Sequence, residues 1–239
     1  MKILAIDTSS AICSAAVCED SKLISEININ TQNTHSEILL PSVERLLKLS
    51  DLKIDDIDLF ACAAGPGSFT GVRIGAATVK GLAFARNKPC AAVSSVEALA
   101  VNLSCFDGIL CPVINARRMY VYNAVFFCKD GIYQRLTPDR LISIGELERE
   151  LENYRAQYDR DIYLSGDGYE LCVENFTHTD IKNNLYLSRK LSLQSAYSIG
   201  LAALTMYNRR QTVSDRDILP SYLRPSQAER ERKEKSDAE

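Results

Sequence analysis

Gly65-Pro66-Gly67-Ser68-Phe69-Thr70-Gly71-Val72-Arg73-Ile74-Gly75 is the stretch that decides the fold, because it joins an apolar strand pattern at 57–63 to a helix. A glycine-rich strand-to-helix turn offers free backbone N–H groups that can hold an anion, yet this one lacks the spacing of a P-loop or a dinucleotide fingerprint. Gly67, Gly71 and Gly75 recur every four residues and lie in one row. The row favours close packing against another helix over anion binding.

The composition is that of a globular chain with a sizeable core. Its 239 residues are 46% apolar and 25% charged, with a formal net charge of −3. This length accommodates one large domain or two modest ones. Basic residues are scattered outside the tail, so the sequence lacks the broad positive surface of an autonomous nucleic-acid binder. Any RNA is therefore expected to be held mainly by a partner.

The cysteines and the N-terminus both indicate a cytoplasmic protein. The eight cysteines lie mostly in apolar strand-like runs without a Cys-x-x-Cys pair, so neither a disulfide framework nor a zinc site is predicted. Asp7 comes too early for a signal-peptide apolar region, and no apolar run approaches the length of a membrane span. We expect a soluble protein with no membrane partner.

The first part of the chain predicts strands and helices in a definite order. The predicted strands are 2–6, 14–17, 22–29, 57–63 and 89–93, and the predicted helices are 35–49, 68–86 and 95–103. The helix 35–49 starts at a capping box formed by Thr34 and Glu37. Leu40 widens the apolar face of this helix beyond what one sheet covers. The residues that form that face are Leu39, Val43, Leu46 and Leu47.

The same order of elements then returns. Strands are predicted at 109–114, 119–127, 132–136 and 162–165, with one helix from the Ser143/Glu146 capping box to 154 and another at 194–208. Three strands, a helix, a strand and a helix thus occur twice. The pattern predicts two related α/β halves, 1–104 and 105–225, with helix 194–208 packing back on the first half and a charged, solvated tail at 226–239.

Two-fold repetition of this unit resembles the actin/hexokinase/Hsp70-like (ASKHA) phosphotransferase superfamily. The resemblance implies a duplicated α/β fold of two βββαβα-type halves. It places Asp7-Thr8-Ser9 at the first phosphate loop, and Gly166 and Gly168 resemble a nucleotide-contacting turn. The residue types alone leave this open, because Asp, Ser and Thr commonly bond nearby backbone and Gly-Asp-Gly is common in turns.

Four motifs resemble the bacterial TsaB (YeaZ) family over nearly the whole chain. They are Ile6-Asp7-Thr8-Ser9, His35-Ser36-Glu37 with Leu40-Pro41, the stretch 65–75 with Lys80-Gly81-Leu82-Ala83, and Pro220-x-Tyr222-Leu223-Arg224. The resemblance implies a role in forming threonylcarbamoyladenosine beside the anticodon of tRNAs that read codons beginning with A. In that role the chain is a non-catalytic partner of a TsaD-type transferase.

The resemblance also implies an assembly. A heterodimer with TsaD is expected through the two helices that follow the first meander and the glycine turn, and a homodimer through the same surface when the partner is missing. A TsaE-like ATPase joins the larger complex, tRNA is contacted indirectly, and no cofactor is expected. The residues predicted to bind the partner are Leu39, Val43, Leu46, Leu47, Gly67, Gly71 and Gly75.

Catalytic residues expected of TsaD relatives are missing from this sequence. Laid on this chain, the two metal-binding histidines of TsaD relatives fall at Ser95 and Leu99, which do not bind a metal as imidazole does. The hairpin at Asn115, Met119 and Tyr120 departs from the family's Asp-Ala-Arg and Gly-Glu-Val-Tyr pattern. The alternative function is an autonomous ATPase or kinase of the same superfold, for which Asp7 supplies one carboxylate. A metallopeptidase requires the missing histidine pair and is discarded.

Overall fold

The structure is a computed structural model that describes residues 1–31, 33–187 and 190–224. The charged tail predicted at 226–239 lies outside the described residues, as does Pro225. Within the described part of the chain, no helix has both the length and the apolar character needed to cross a membrane.

The first sheet has five strands in the order β3-β2-β1-β4-β5. The antiparallel meander is followed by β4 and β5, which run parallel to β1. Three helices connect or follow these strands, as the sequence pattern predicts. The bounds are β1 Lys2–Asp7, β2 Cys13–Glu19, β3 Lys22–Ile29, α1 His35–Leu49, β4 Leu59–Gly65, α2 Phe69–Phe84, β5 Cys90–Ser94 and α3 Ser95–Asn102.

The first sheet is covered on both faces, as parallel strands require. Side chains alternate along β1, so Leu4 and Ile6 join one apolar cluster while Ile3 and Ala5 join another. Helices α1 and α2 cover the face of Leu4 and Ile6. The opposite face is covered by the last helix, α7 (Ala196–Asn208), which returns from the far end of the chain.

The second sheet repeats this layout, with an additional hairpin. Its main path is β10-β7-β6-β11-β12, and β8 pairs with β6 and β9 beside it. The order confirms the predicted class, a duplicated α/β fold of the ASKHA type. The bounds are β6 Gly108–Asn115, β7 Tyr120–Asn123, β8 Phe126–Lys129, β9 Ile132–Arg135, β10 Arg140–Ser143, α4 Ile144–Tyr158, β11 Ile162–Ser165, α5 Tyr169–Asn175, α6 Thr179–Asn183 and β12 Leu185–Leu187.

The predicted strand 119–127 is wrong as a single strand, because it divides into β7 and β8. The buried amide of Asn123 donates to the carbonyl oxygens of Pro112 and Ala124, and Val125 N donates to Thr137 Oγ1 at 2.8 Å. These side-chain bonds replace the strand ladder at the break. The predicted third strand, 132–136, therefore belongs to the added hairpin, and β10 takes the position that β3 has in the first half.

Candidate functional site

In each half, two turns lie close together at the carboxyl ends of the central strands. In the first half, the β1–β2 loop (residues 8–12) lies on the β4–α2 turn (residues 66–68), and we call these the first turn pair. In the second half, the β11–α5 turn (residues 166–168) lies on the end of β6, at residues 113–115, next to the β6–β7 turn (residues 116–119), and these two turns are the second turn pair. Ligands of open α/β sheets bind at this edge.

The first turn pair is closed by direct bonds between its two parts. Ser68 N donates to the carbonyl oxygen of Ser9 at 2.7 Å, and Thr8 Oγ1 donates to the carbonyl oxygen of Gly71 at 2.8 Å. Gly71 N is itself bonded to Ser68 Oγ at 3.1 Å. Protein acceptors thus occupy N–H groups at the start of α2 that an anion would need.

The glycine row packs against this chain's own loop. A β-carbon at Gly67 would collide with the carbonyl oxygen of Ser9, and one at Gly71 with that of Thr8. At Gly75 it would lie 2.6 Å from Thr8 Oγ1. The expectation that Gly67, Gly71 and Gly75 meet a partner helix is corrected, because the β1–β2 loop fills that space.

Asp7 ends β1 and is fully buried beneath the first turn pair. Its Oδ1 accepts from Ser9 N at 2.8 Å and from Ser9 Oγ at 2.7 Å, an arrangement that fixes the loop. Its Oδ2 has no hydrogen-bond partner within the described residues. Burial raises the pKa of Asp7 to about 6, against the lowering effects of the Ser9 bonds and of nearby His35.

His35 lies beside the same loop at the first turn of α1. Its Nε2 donates to the carbonyl oxygen of Ser10 at 2.7 Å, so the side chain is half-buried and helps to hold the loop. Thr8 and Ser9 are buried as well. The residues predicted at the first phosphate loop therefore form a closed internal structure in this chain.

The second turn pair is open to solvent. Asn115, Arg117, Arg118, Met119 and Tyr120 are all exposed. Asn115 N donates to Asp167 Oδ1 at 2.8 Å, and Asn115 Oδ1 accepts from Arg117 N at 2.8 Å. The amide of Asn115 thus stabilises the turn where the family pattern has a carboxylate.

Gly166 and Gly168 are required by packing in the second turn pair. Gly166 has φ +99°, and a β-carbon there would collide with the carbonyl oxygen of Val113. At Gly168 a β-carbon would lie 3.2 Å from Asn115 N. Both glycines that resemble a nucleotide-contacting turn thus lie against the backbone of β6.

A C-terminal strap, residues 211–224, connects the two turn pairs. Ser221 N donates to the carbonyl oxygen of Ala64 at 2.7 Å, just before the β4–α2 turn. Three residues later, Arg224 Nη1 donates to the carbonyl oxygen of Ala116 at 2.9 Å. Residues 221–224 of the strap therefore contact backbone at or beside both turn pairs.

The apolar face predicted on α1 lies inside the molecule. Leu39, Val43, Leu46 and Leu47 are all buried in the apolar cluster that α1 forms with the first sheet. Their predicted role in partner binding is corrected, because they are inaccessible in the folded chain. Leu40, which the sequence singled out as widening the face, is 53% exposed.

The outward sides of α1 and α2 form a mixed surface that we call the α1–α2 face. Both helices pack on the same side of the first sheet. On α2, Ala77, Gly81 and Phe84 fall on one exposed stripe, and no atom lies within 4 Å of a β-carbon at Gly81. Phe84, the last residue of α2, is 67% exposed.

The positions implied for metal-binding histidines do not fit a metal. Ser95 is buried at the start of α3, and its Oγ lacks a hydrogen-bond partner in the described part of the chain. Leu99 lies in an apolar cluster with Val96 and Leu110. No group of three or more potential metal ligands occurs within residues 1–31, 33–187 and 190–224.

Sequence reasoning missed the contacts between the strap and α2. Arg73 Nε donates to the Tyr222 hydroxyl at 2.6 Å, and its guanidinium lies 3.8 Å from the Phe69 ring centroid. The Phe69 and Tyr222 rings are 4.7 Å apart. The motif Pro220-x-Tyr222-Leu223-Arg224 marked this segment, but the residues it contacts are about 150 positions earlier.

Comparisons with known proteins agree with the motifs. The family model for TsaD, tRNA N6-adenosine threonylcarbamoyltransferase, matches residues 22–232. The TsaB protein of Bacillus subtilis strain 168, a tRNA threonylcarbamoyladenosine biosynthesis protein, is 30% identical over 230 residues, which cover 96% of each chain. A tRNA N6-adenosine threonylcarbamoyltransferase of Brachyspira hyodysenteriae is 37% identical over 114 residues, or 41% of this chain and 34% of that protein.

A solved structure supports the same assignment. YeaZ from Pseudomonas aeruginosa superposes with a TM-score of 0.79 at 28% identity, covering 93% of this chain and 99% of YeaZ. These matches confirm the resemblance drawn from the sequence motifs. The chain therefore belongs to the TsaB (YeaZ) family of tRNA threonylcarbamoyladenosine biosynthesis proteins.

Proposed function

We propose that this chain is a non-catalytic subunit that binds a TsaD-type transferase and supports its transfer of threonylcarbamoyl to tRNA. The observation that carries the proposal is the α1–α2 face, which exposes Leu40 and Phe84 on helices whose inner sides are fully packed. Large apolar side chains exposed on the outer sides of two helices of the same layer support a protein partner.

The similarity between this chain and TsaD supports a TsaD-type partner. One family model covers both this chain and TsaD, and a TsaD transferase aligns at 37% identity over part of the chain. Two related chains present equivalent helices, so the α1–α2 face can meet its counterpart around a pseudo-two-fold axis. The same symmetry supports a homodimer when the partner is absent, in competition with the heterodimer.

The buried residues at the implied catalytic positions support a non-catalytic role. Ser95 and Leu99 supply neither imidazole nor carboxylate, and Leu99 packs in an apolar cluster. The chemistry of the transfer is then the partner's, with a TsaE-like ATPase in the larger complex. Since tRNA modification uses cytoplasmic substrates, we place the chain in the cytoplasm.

An autonomous ATPase or kinase is the alternative, and the unpartnered Oδ2 of Asp7 is the observation that favours it. The matching position of the second half holds Asn115, whose Oδ1 is bonded to Arg117 N. We expect Asn115→Asp to leave magnesium-dependent phosphate release by the pure chain at background, because one carboxylate does not rebuild a nucleotide site. A clear rise in phosphate release would favour the ATPase instead.

Depletion of the chain in cells tests the proposed function. Threonylcarbamoyladenosine in tRNA should fall, while synthesis of threonylcarbamoyl-adenylate should continue, because the proposed role follows the adenylate. Nucleoside mass spectrometry measures the first quantity and an adenylate assay on cell extract the second. Unchanged tRNA modification after depletion would contradict the proposal.

A further inference from the structure

The β6–β7 turn holds three consecutive residues in a backbone conformation that side chains disfavour. Arg117, Arg118 and Met119 have φ values of 63°, 55° and 63°. The left-handed conformation costs about 1–2 kcal/mol for each residue other than glycine. The turn thus keeps two adjacent arginines at an energetic cost that glycine or asparagine would avoid.

The strained turn is ordered by bonds at each end. Ala116 N donates to the carbonyl oxygen of Tyr120 at 3.0 Å, and Tyr120 N donates to that of Arg117 at 3.2 Å. Ile144 N, at the start of α4, donates to the carbonyl oxygen of Met119 at 3.1 Å. The arginine side chains therefore project from a fixed backbone.

Neither guanidinium is used within the described residues. Arg117 and Arg118 are exposed and form no ion pair or side-chain hydrogen bond with residues 1–31, 33–187 and 190–224. Two carboxylates of adjacent elements have other partners, since Asp167 accepts from Asn115 N and Glu146 from Ser143 Oγ. By contrast, Arg135 and Arg140 pair with carboxylates.

The strap adds further cationic and aromatic groups to the same surface. Arg224 is bonded to the carbonyl oxygen of Ala116, immediately before Arg117. Tyr222, two positions earlier on the strap, is 44% exposed and holds Arg73 by its hydroxyl. Tyr120 is 41% exposed at the other end of the turn. The surface thus combines guanidinium groups with exposed aromatic rings.

We propose that Arg117 and Arg118, supported by Arg224, bind backbone phosphates of the tRNA substrate directly. Guanidinium groups bind phosphate with paired hydrogen bonds, and neighbouring aromatic rings suit unstacked RNA bases. The inference rests on the proposed function, which supplies the RNA. The chain's net charge of −3 repels RNA overall, so a contact requires such a local cationic turn.

The test measures tRNA binding by the complex of this chain with the TsaD-type subunit. The probe is an unmodified transcript of a tRNA that reads codons beginning with A, followed by fluorescence anisotropy over a range of salt concentrations. The variant is Arg117→Asn with Arg118→Asn, because asparagine tolerates the left-handed conformation. A second variant replaces both arginines with lysine, which retains the charge.

Arg209→Asn with Arg210→Asn is the matched control. These are also adjacent exposed arginines, and Arg210 has φ 57°. They precede Val213, which pairs with Cys90 at the amino end of β5, away from the turn pairs.

The asparagine variant should bind tRNA at least about tenfold more weakly, since it loses two charge-assisted contacts. Its slope of log affinity against log salt should fall by about two. The lysine variant and the Arg209/Arg210 control should keep most of the wild-type slope. Gel filtration should show all complexes intact.

Three results would overturn the inference. Equal tRNA binding by an intact asparagine-variant complex would exclude the turn as an RNA contact while leaving the proposed function standing. Loss of the TsaD-type subunit from that variant would make the turn a protein contact. Failure of the wild-type chain to bind the TsaD-type subunit would overturn the proposed function itself, and the inference with it.

Discussion

The two halves of the molecule build equivalent turn pairs from different residues. In the first half, Asp7, Thr8 and Ser9 are buried and the loop is bonded to the start of α2. In the second, Arg117, Arg118 and Met119 are exposed and the turn is strained. Both pairs rely on glycines pressed against backbone, at Gly71 and Gly166.

The difference shows that the two halves of a duplicated fold can use equivalent turn pairs for different purposes, one for stability and the other for binding. In each half a glycine is pressed against backbone at the same edge of the sheet, against the β1–β2 loop at Gly71 and against β6 at Gly166. Burial of Asp7, Thr8 and Ser9, with bonds within the loop and to α2, makes the first pair part of the core. Exposed guanidiniums on an ordered backbone make the second pair a surface for ligands.

The largest predicted effect comes from a substitution that disrupts the first turn pair. Gly71→Ala should lower the free energy of unfolding by about 3 kcal/mol, because its β-carbon meets the Thr8 carbonyl oxygen and the loop must move. Gly81→Ala, on the same helix but with open space, should raise the free energy by up to about 1 kcal/mol. Urea denaturation measures both. Equal effects would show that the loop does not occupy the glycine row.

A second prediction concerns the protonation of Asp7. The pKa of about 6 exceeds the ordinary value of 3.8, so the folded state holds the proton more tightly than the unfolded state. This contribution is fully present below the ordinary value and is lost as the pH rises through 6. Between pH 5 and 7.5 the wild type should therefore lose stability, by on the order of 1 kcal/mol, relative to Asp7→Asn.

Urea denaturation of both proteins at the two pH values measures this difference. Asn retains an oxygen that accepts from Ser9, so the loop contacts survive in the control. If the free energies of unfolding of the two proteins changed equally with pH, the raised pKa would be contradicted. The Asp7 carboxylate would then be charged in the folded protein.

The smallest predicted effect comes from a substitution that relieves backbone strain in the second turn pair. Met119→Gly should raise the free energy of unfolding by about 0.5–1 kcal/mol, because glycine adopts φ 63° without strain but loses more backbone entropy. Met119→Ala keeps the strain and should give no gain. Thermal denaturation of both variants is sufficient. A gain for alanine but not for glycine would show that the side chain, and not the backbone, sets the cost.

Local signals predicted much of the fold. The Thr34/Glu37 and Ser143/Glu146 capping boxes mark the starts of α1 and α4, where the structure has them. The strand bounds 22–29 and 162–165 are the same in the structure. These elements were predictable because their residues interact with near neighbours in sequence.

The other features could not be predicted from the sequence because they depend on contacts between residues far apart in it. The break between β7 and β8 depends on the amide of Asn123 reaching Pro112, and the glycine row is filled by a loop about 60 positions earlier. The face of α1 was found from its periodicity, but periodicity does not distinguish a core from a partner. Leu39 and Leu40 are adjacent, yet they are 1% and 53% exposed.

Calorimetric titration of this chain with the TsaD-type subunit tests the central claim most directly. The variant is Leu40→Arg on the α1–α2 face, and the matched control is Ile132→Arg, an equally apolar residue 78% exposed on the added hairpin. With both variants folded, Leu40→Arg should weaken binding at least about tenfold while Ile132→Arg binds like the wild type. Wild-type affinity for Leu40→Arg would contradict the assignment of the α1–α2 face as the partner surface.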